Sequence, residues 1–267
     1  MHLKRWLTGI VAVPLLIFLI GPGPRLLFHL LLYAASLVGI MEFYRMTAPR
    51  LPGFVRYAGY LLTLLLFLVI SMRQVMLLPL VISLMVFVPM TFYMIARPAA
   101  DQESTAEMAK AFLGPIYVGL PLAMLVLIDL YPSGNLWIFF LLTVVFCGDT
   151  GAFYVGRRFG RHKLYEAISP NKTWEGALGG LLGSLLGALI FMRLLALRPI
   201  DPPLLVLVLT LSASEQIGDL AASALKRNHG IKDTGHILPG HGGILDRIDG
   251  LLFAIPLLFT YLSCYAL

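Results

Sequence analysis

Long apolar runs dominate the chain, and short polar segments separate them. A helix needs about 20 mostly apolar residues to cross a bilayer, and nine runs approach or exceed that length, at about 6–20, 26–46, 54–72, 74–96, 108–130, 135–156, 174–196, 203–225 and 248–266. The first run is short and contains Pro14, so it could tilt, bend or insert only partly. Strands of a membrane barrel would instead give short alternating segments. The pattern therefore predicts an all-α, polytopic integral membrane protein with about nine transmembrane helices.

Composition supports this class and excludes others. Hydrophobic residues make up 59% of the 267 positions and charged residues 13%, against roughly 45–50% and about 25% in a soluble domain. So few charges could not cover a soluble fold, which excludes a soluble globular enzyme, a disordered chain and a disulfide scaffold. Because no long linker interrupts the chain, we expect one membrane domain, with scaffold helices in 1–145 and catalytic elements in 146–267.

The basic residues predict the orientation. In the nine-span layout, sixteen of the twenty Lys and Arg lie on the side of the N-terminus, and the other four are Arg25, Arg73, Arg193 and Arg198. Cytoplasmic loops of membrane proteins carry such an excess of positive charge. We therefore expect a cytoplasmic N-terminus and an external C-terminus.

Acidic residues inside the predicted spans need a specific reason to be there, because each costs roughly 2.5–3.5 kcal/mol at a helix centre. The candidates are Glu42, Asp149, Glu215 and Asp219. Glu42 lies near a helix end and could pair with Arg45. The polar residues of the eighth span recur every three or four positions and share one face: Ser212, Glu215, Asp219, Ser223 and Lys226. That face is either a seam of hydrogen bonds between helices or, as we favour, the wall of a polar cavity.

The segment that follows the eighth span has the composition of a phosphate-binding loop. Glycines at 230, 235, 240, 242 and 243 allow backbone N–H groups to turn toward an anion, and Lys226, Arg227, Lys232 and Arg247 add positive charge. Asp246 and Asp249 are three residues apart, so both could face one cavity. Carboxylates, cations and glycine backbone together favour Mg²⁺–polyphosphate chemistry.

A second polar cluster lies between residues 147 and 176. It contains Asp149, four cations that could serve as membrane anchors (Arg157, Arg158, Arg161 and Lys163), and the segment Ser-Pro-Asn-Lys-Thr-Trp-Glu-Gly at 169–176. Ser169 and Pro170 suit a helix start, where the helix dipole and Lys172 would attract an anion. Gly179, Gly183 and Gly187 follow at a spacing of four, which predicts close helix packing.

These motifs resemble those of the phosphatidate cytidylyltransferase (CDP-diacylglycerol synthase) family. The family signature reads Ser-x-apolar-Lys-Arg, four residues, Lys-Asp-x-small, then Pro-x-His-Gly-Gly-apolar-x-Asp-Arg-apolar-Asp. Residues 223–249 match it throughout, from Ser223 through Lys226, Arg227, Lys232, His241, Gly242, Gly243, Asp246 and Arg247 to Asp249. Residues 148–152 and 169–176 also resemble the family.

The resemblance implies a membrane enzyme of phospholipid biosynthesis. It implies transfer of CMP from CTP to phosphatidate, which gives CDP-diacylglycerol and pyrophosphate, with Mg²⁺ as cofactor and room for a second cation. It also implies a bacterial cell (inner) membrane location and a homodimer. The partners are then CTP, phosphatidate and the lipid bilayer, without nucleic acid.

For that reaction we expect specific roles for the residues of the two polar clusters. We expect Asp219 and Asp246 to bind the metal first, with Asp149 and Asp249 next. The expected catalytic residues are Asp219, Asp246, Lys226, Arg227, Ser223 and Asp249. The expected substrate-binding residues are Lys172, Lys232, His241, Gly242, Gly243 and Arg247. Glu175 and Glu215 could support them.

Two other functions remain open from the sequence, besides a purely structural subunit, which would leave the charged loop unexplained. A CTP-dependent lipid kinase of the polyprenol or phytol type would transfer the γ-phosphoryl group instead, and the products distinguish the two reactions. An ion-coupled transporter would also place acids within the membrane. It fits less well, because the acids gather at the cytoplasmic end of the spans and no inverted repeat is visible.

Overall fold

We examined a computed structural model that describes residues 2–96, 102–237 and 242–265. The described chain contains ten α-helices and one β-hairpin. In chain order these are α1 (His2–Ile20), α2 (Arg25–Thr47), α3 (Gly53–Ser71), α4 (Leu78–Ala96), α5 (Gln102–Gly114), α6 (Leu120–Asp129), α7 (Gly134–Phe159), β1 (Lys163–Tyr165), β2 (Ser169–Thr173), α8 (Trp174–Leu195), α9 (Pro202–Asn228) and α10 (Leu245–Tyr265). A 3₁₀ turn precedes α4 at Val75–Leu77, and a π-helical turn at Pro115–Gly119 joins α5 to α6.

The helices confirm an all-α, multi-pass membrane protein. Eight are long and apolar enough to cross a bilayer, with α5 and α6 forming one span over Thr105–Asp129. These eight agree with the second to ninth predicted runs. The apolar stretch described for α1, Ile10–Ile20, is shorter. A total of nine spans therefore stays a prediction, as does the orientation of the termini that depends on it.

The backbone divides into two compact units. The first comprises Met1–Leu127 and Asp233–Arg247, and the second comprises Ile128–Lys232 and Ile248–Leu267. The predicted single domain, with scaffold helices in 1–145 and catalytic elements in 146–267, stays a prediction.

In the first unit, a few buried polar contacts orient an otherwise apolar core. The Tyr44 hydroxyl on α2 donates to the backbone carbonyl of Ala111 on α5 at 2.6 Å. Tyr93 on α4 donates to Glu107 on α5 at 2.9 Å, and both side chains are buried. Because an unmade hydrogen bond is costly in a nonpolar interior, these contacts fix α5 against its neighbours.

In the second unit, α7 and α8 approach so closely that their backbones touch. A Cβ atom on Gly183 would collide with the carbonyl oxygen of Cys147, and one on Gly187 would lie 2.6 Å from the Cys147 sulfur. The predicted glycine packing face is thus confirmed. The opposite side of α8 carries large side chains, with Leu178, Leu182 and Leu186 each 60–62% exposed.

The ends of α9 have well-defined caps. At the N-terminus, the Asp201 carboxylate accepts a hydrogen bond from Leu204 N at 3.0 Å, as an N-cap residue does. At the C-terminus, Ile231 N donates to the Lys226 carbonyl and Gly230 N to the Arg227 carbonyl, each at 3.0 Å. This is a Schellman motif, and Gly230 takes the left-handed conformation that it requires, with φ +68°. The helix therefore ends directly after its Lys226–Arg227 pair.

Candidate active site

A cavity of about 620 Å³ lies in the second unit. Five elements line it, namely α7, β1, β2, α8 and α9. The polar and charged lining residues are Asp149, Arg157, Asn171, Lys172, Thr173, Glu215, Gln216 and Asp219. The volume is in the range of small-molecule sites, and both signs of charge are present.

The hairpin β1–β2 forms one wall of this cavity and corrects the sequence prediction. Ser169 and Pro170 do not begin a helix, because Ser169–Thr173 is a strand that pairs antiparallel with Lys163–Tyr165. Helix α8 starts at Trp174, where the Thr173 hydroxyl accepts a hydrogen bond from Gly176 N at 3.1 Å. Thr173 is the N-cap, so the residues before it stay extended.

Glu175 fastens the hairpin to the first turn of α8. Its carboxylate accepts hydrogen bonds from Arg161 N at 3.1 Å and His162 N at 3.2 Å, and contacts His162 Nδ1 at 2.6 Å. On the other strand, Lys163 Nζ donates to the Pro170 carbonyl at 2.5 Å. These contacts hold β2, and with it Lys172, in a defined position at the cavity. A supporting role for Glu175 in the chemistry stays a prediction.

Lys172 and Asp219 meet across the cavity. Lys172 Nζ on β2 lies 2.5 Å from Asp219 Oδ2 on α9. The Ser223 hydroxyl, one turn further along α9, donates to Asp219 Oδ1 at 3.4 Å. Two predicted site residues are therefore brought together here, with a third beside them.

The polar stripe of α9 makes three kinds of contact along its length. Ser212 lies in a buried seam, where the Ser184 hydroxyl of α8 donates to it at 2.9 Å. Glu215 and Asp219 line the cavity, while Lys226 forms an ion pair with Asp249 of α10 at 3.6 Å. Both interpretations of the stripe are thus correct, each for a different part of the helix.

Three of the four candidate acids named from the predicted spans line the cavity. Asp149 of α7 joins Glu215 and Asp219 there. Glu215 is buried, and Gly250 of α10 packs against it so closely that an added Cβ would lie 2.8 Å from its Oε1. Within residues 2–96, 102–237 and 242–265, no three His, Cys, Asp or Glu side chains form a group that could hold a metal ion. The metal assignments therefore stay predictions.

The two acids at the end of the signature, Asp246 and Asp249, lie in different units. Asp246 accepts hydrogen bonds from Thr234 N at 2.8 Å and Gly243 N at 3.0 Å within the first unit. Asp249 instead belongs to the second unit, where it pairs with Lys226. The structure thus gives these two carboxylates different partners, and their expected placement at one cavity stays a prediction.

The remaining predicted residues have more local surroundings. Gly242 has φ +80°, which favours glycine. Arg227 Nε donates to the Ile168 carbonyl at 3.4 Å, and Lys232 and Arg247 are exposed. His241 lies outside the described residues. The substrate-binding roles given to Gly242, Gly243, Lys232, His241 and Arg247 stay predictions.

Sequence reasoning missed several lining residues. Arg157 was one of four cations treated equally as membrane anchors, and only its place on the cavity wall distinguishes it. Asn171, Thr173 and Gln216 were given no role. Gln216 donates to the Ala177 carbonyl of α8 at 3.3 Å. A polar residue beside Glu215 in an apolar helix was the signal that could have identified it.

Comparison with known proteins shows which family the chain resembles. Residues 3–265 match the Cytidylyltransferase family. The chain is 37% identical over 276 aligned residues to a protein of Bacillus subtilis named phosphatidate cytidylyltransferase, with 98% of each chain covered. It is 34% identical over 256 residues to a protein of the same name from Staphylococcus epidermidis, with 95% of this chain and 96% of that one covered.

Proposed function

The chain belongs to the cytidylyltransferase family, and we propose on that premise that it transfers CMP from CTP to phosphatidate, producing CDP-diacylglycerol and pyrophosphate. The family confirms the resemblance seen in the sequence. Membership in this family also means that the protein is an enzyme, a membrane-bound nucleotidyltransferase. The observation that carries the proposal is the cavity in which Lys172 meets Asp219, with Asp149 and Glu215 on its walls.

The reaction needs charge neutralisation more than proton transfer. A phosphate oxygen of phosphatidate forms a bond to the α-phosphorus of CTP, and the bond from that phosphorus to the bridging oxygen breaks. The electron pair leaves with pyrophosphate. Because a phosphate monoester has a second pKa of about 6, the nucleophile is already anionic at neutral pH. The protein has chiefly to position two polyanions and offset their repulsion.

The cations of the cavity suit that task. Lys172 is held on a strand that Glu175 fastens, so its ammonium group is directed by a rigid support. Arg157 contributes a guanidinium from α7, which can bind two phosphate oxygens at once. We assign phosphate binding to both residues. Asn171 and Gln216 can hydrogen-bond the polar parts of the nucleotide.

The carboxylates fit a magnesium ion. Mg²⁺ prefers oxygen donors and is usually bound by one or two carboxylates together with substrate phosphates, so it does not need a preformed group of three. Asp219 and Asp149 would hold it at the cavity, and Asp246 and Asp249 remain candidates from the signature. When bound, the ion neutralises charge on the phosphates. Lys172, which contacts Asp219, would then be available to the phosphate groups.

The membrane setting completes the proposal. Phosphatidate must present its headgroup from the lipid while CTP arrives from water, and a cavity among membrane helices can receive both. We place the enzyme in the bacterial cell membrane, with the N-terminus in the cytoplasm and the C-terminus outside, following the distribution of Lys and Arg. A homodimer is part of this proposal.

A radiolabel assay tests the reaction. Purified protein in detergent is given phosphatidate, Mg²⁺ and CTP labelled at either the α- or the γ-phosphorus. We expect label in the lipid from α-labelled CTP and label in pyrophosphate from γ-labelled CTP. Lipid labelled from γ-labelled CTP would instead identify a lipid kinase. Absence of any CTP turnover would overturn the proposal.

Asp219→Asn and its matched control connect that activity to the cavity. Loss of the carboxylate should lower turnover by about 10²-fold or more, the scale of losing one charge-stabilising group. Asp201→Asn is the control, because Asp201 is also an ion-paired acid of the second unit but caps the other end of α9. The control should retain its turnover.

A further inference from the structure

Glu42 is an acid of the N-terminal half whose partners lie far along the chain. It is on α2, is 1% exposed, and its carboxylate accepts three hydrogen bonds from residues 234–245. Ile244 N donates to Oε1 at 3.2 Å, and Leu245 N donates to Oε2 at 2.8 Å. The Thr234 hydroxyl also donates to Oε2, at 3.2 Å. Sequence reasoning offered only a pairing with Arg45.

The N-terminus of α10 needs such an acceptor. Helix α10 begins at Leu245, and the residue before it is Ile244, whose side chain cannot accept a hydrogen bond. The first N–H groups of a helix have no partner within it and carry partial positive charge. Glu42 therefore caps α10 from another helix, and its negative charge complements the helix dipole.

A second carboxylate joins the same segment. Asp246 Oδ2 accepts Thr234 N at 2.8 Å and Gly243 N at 3.0 Å. Thr234 therefore donates its backbone N–H to Asp246 and its hydroxyl to Glu42. Together the two carboxylates hold the residues around Thr234 and Gly243, which border the stretch that contains His241.

Glycine makes this close approach feasible. A Cβ on Gly243 would lie 2.5 Å from Glu42 Oε2 and 2.5 Å from the Thr234 hydroxyl, and a Cβ on Gly235 would collide with Glu42 Oε1. Two glycines of the signature thus admit the Glu42 side chain. For these two positions, room for Glu42 is an explanation that competes with contact to a substrate.

We propose that Glu42 is a positioning residue, whose carboxylate holds residues 233–237 and 242–247, with Asp246 and Arg247, in the arrangement that CMP transfer requires. The proposal rests on the function proposed above. It gives α2, in the half of the chain interpreted as scaffold, a direct part in organising the signature segment. Glu42 itself touches neither substrate nor metal in this role.

Glu42→Gln is the informative substitution. Glutamine keeps the length of the side chain, but an NH₂ group replaces one carboxylate oxygen and opposes a backbone or hydroxyl donor. At least one buried N–H or O–H then loses its acceptor. We expect kcat to fall by at least about tenfold, since small displacements of a reacting arrangement are costly, while the KM for CTP changes less.

Glu107→Gln is the matched control. Glu107 is also a buried acid of the first unit, but the hydrogen bond described for it comes from Tyr93 on α4. Both variants replace one buried carboxylate with an amide, and thermal unfolding measures the stability that each loses. Only Glu42→Gln should lower kcat. It alone should speed hydrogen–deuterium exchange in peptides that cover residues 242–250.

The outcomes separate this inference from the proposed function. If wild-type protein transfers no CMP to phosphatidate, the proposed function and this inference both fail. If wild type is active and Glu42→Gln keeps its kcat, only the positioning role is overturned. An unchanged exchange rate at residues 242–250 in Glu42→Gln would also overturn it. Equal losses of kcat in Glu42→Gln and Glu107→Gln would reduce the effect to general instability and refute the inference.

Discussion

The Lys172 ammonium and the Asp219 carboxylate lie 2.5 Å apart, although 46 positions separate them and different elements carry them. Lys172 is on strand β2 and Asp219 on helix α9. Their side chains are 26% and 35% exposed, so solvent screens the pair and its contribution to stability is small. The pair therefore fits the roles proposed above, a lysine that binds phosphate and an acid that would bind Mg²⁺, better than it fits a role in stability.

Lys172→Met and Asp219→Asn should act on the same step. Each should lower CMP transfer by about 10²-fold, because one removes a phosphate ligand and the other removes the acid that contacts it. In the double variant the two losses should not add, since groups that act as a unit are strongly non-additive. Measurement of kcat and KM for the four proteins of the cycle tests this. Full additivity would show that the two residues act independently.

Removal of divalent cations should abolish turnover without unfolding the protein. With EDTA we expect CMP transfer to fall to background and to return on addition of Mg²⁺, because the phosphates of two polyanionic substrates must be neutralised. Ca²⁺ should restore little, since its longer and less regular coordination suits this chemistry poorly. A full rate in EDTA would remove the metal from the proposal and leave the charge of Lys172 and Arg157 in its place.

Gly183→Val should destabilise the α7–α8 pair. The new side chain would collide with the Cys147 carbonyl, and overpacking of this kind costs about 1–3 kcal/mol. Thermal unfolding in detergent measures the effect. Leu182→Val is the control, because this neighbouring side chain is 62% exposed. Equal melting temperatures for the two variants would contradict the backbone contact described for Gly183.

Acid should weaken the cap at the start of α9. The hydrogen bond from Leu204 N, and then the interaction with Arg198, lower the pKa of Asp201 below its ordinary value of 3.8. A lowered folded-state pKa means that the carboxylate stabilises the fold fully above pH 3.8 and ceases to do so as pH falls through the folded-state value. Asp201→Asn keeps a capping oxygen but does not titrate.

Melting temperatures of wild type and Asp201→Asn, measured between pH 7 and pH 3, test this. The advantage of wild type should be constant near neutrality and should shrink at the acidic end. A difference that stays the same over the whole range would show that the charge of Asp201 does not contribute.

Hydropathy predicted the spans well because bilayer thickness fixes helix length. The runs at 26–46 and 174–196 correspond to Arg25–Thr47 and Trp174–Leu195. Periodicity also placed Glu215 and Asp219 on one face of α9. Both features depend on local geometry, which a sequence expresses directly.

Contacts between distant residues were not predictable in this way. Nothing local shows that Glu42 caps a helix that begins about 200 residues later, or that Ser169–Thr173 is a strand. The serine and proline resembled a helix start, but the decisive feature was the Thr173 hydroxyl bound to Gly176 N. Several residues before α8 could have capped it by local rules, and contacts with the rest of the protein determined that Thr173 does so.

The glycine face of α8 reverses the usual relation between residue size and depth. In a water-soluble protein the bulkiest apolar side chains mark the inside of a helix, whereas here they point outward and the inner side is nearly bare. Lipid tails solvate leucine as well as a protein interior does, so bulk on that side costs nothing. Main-chain atoms thus set the distance between α7 and α8. Asp149 lies midway along α7, so a backbone contact fixes its position, and a change of side-chain rotamer cannot alter that contact.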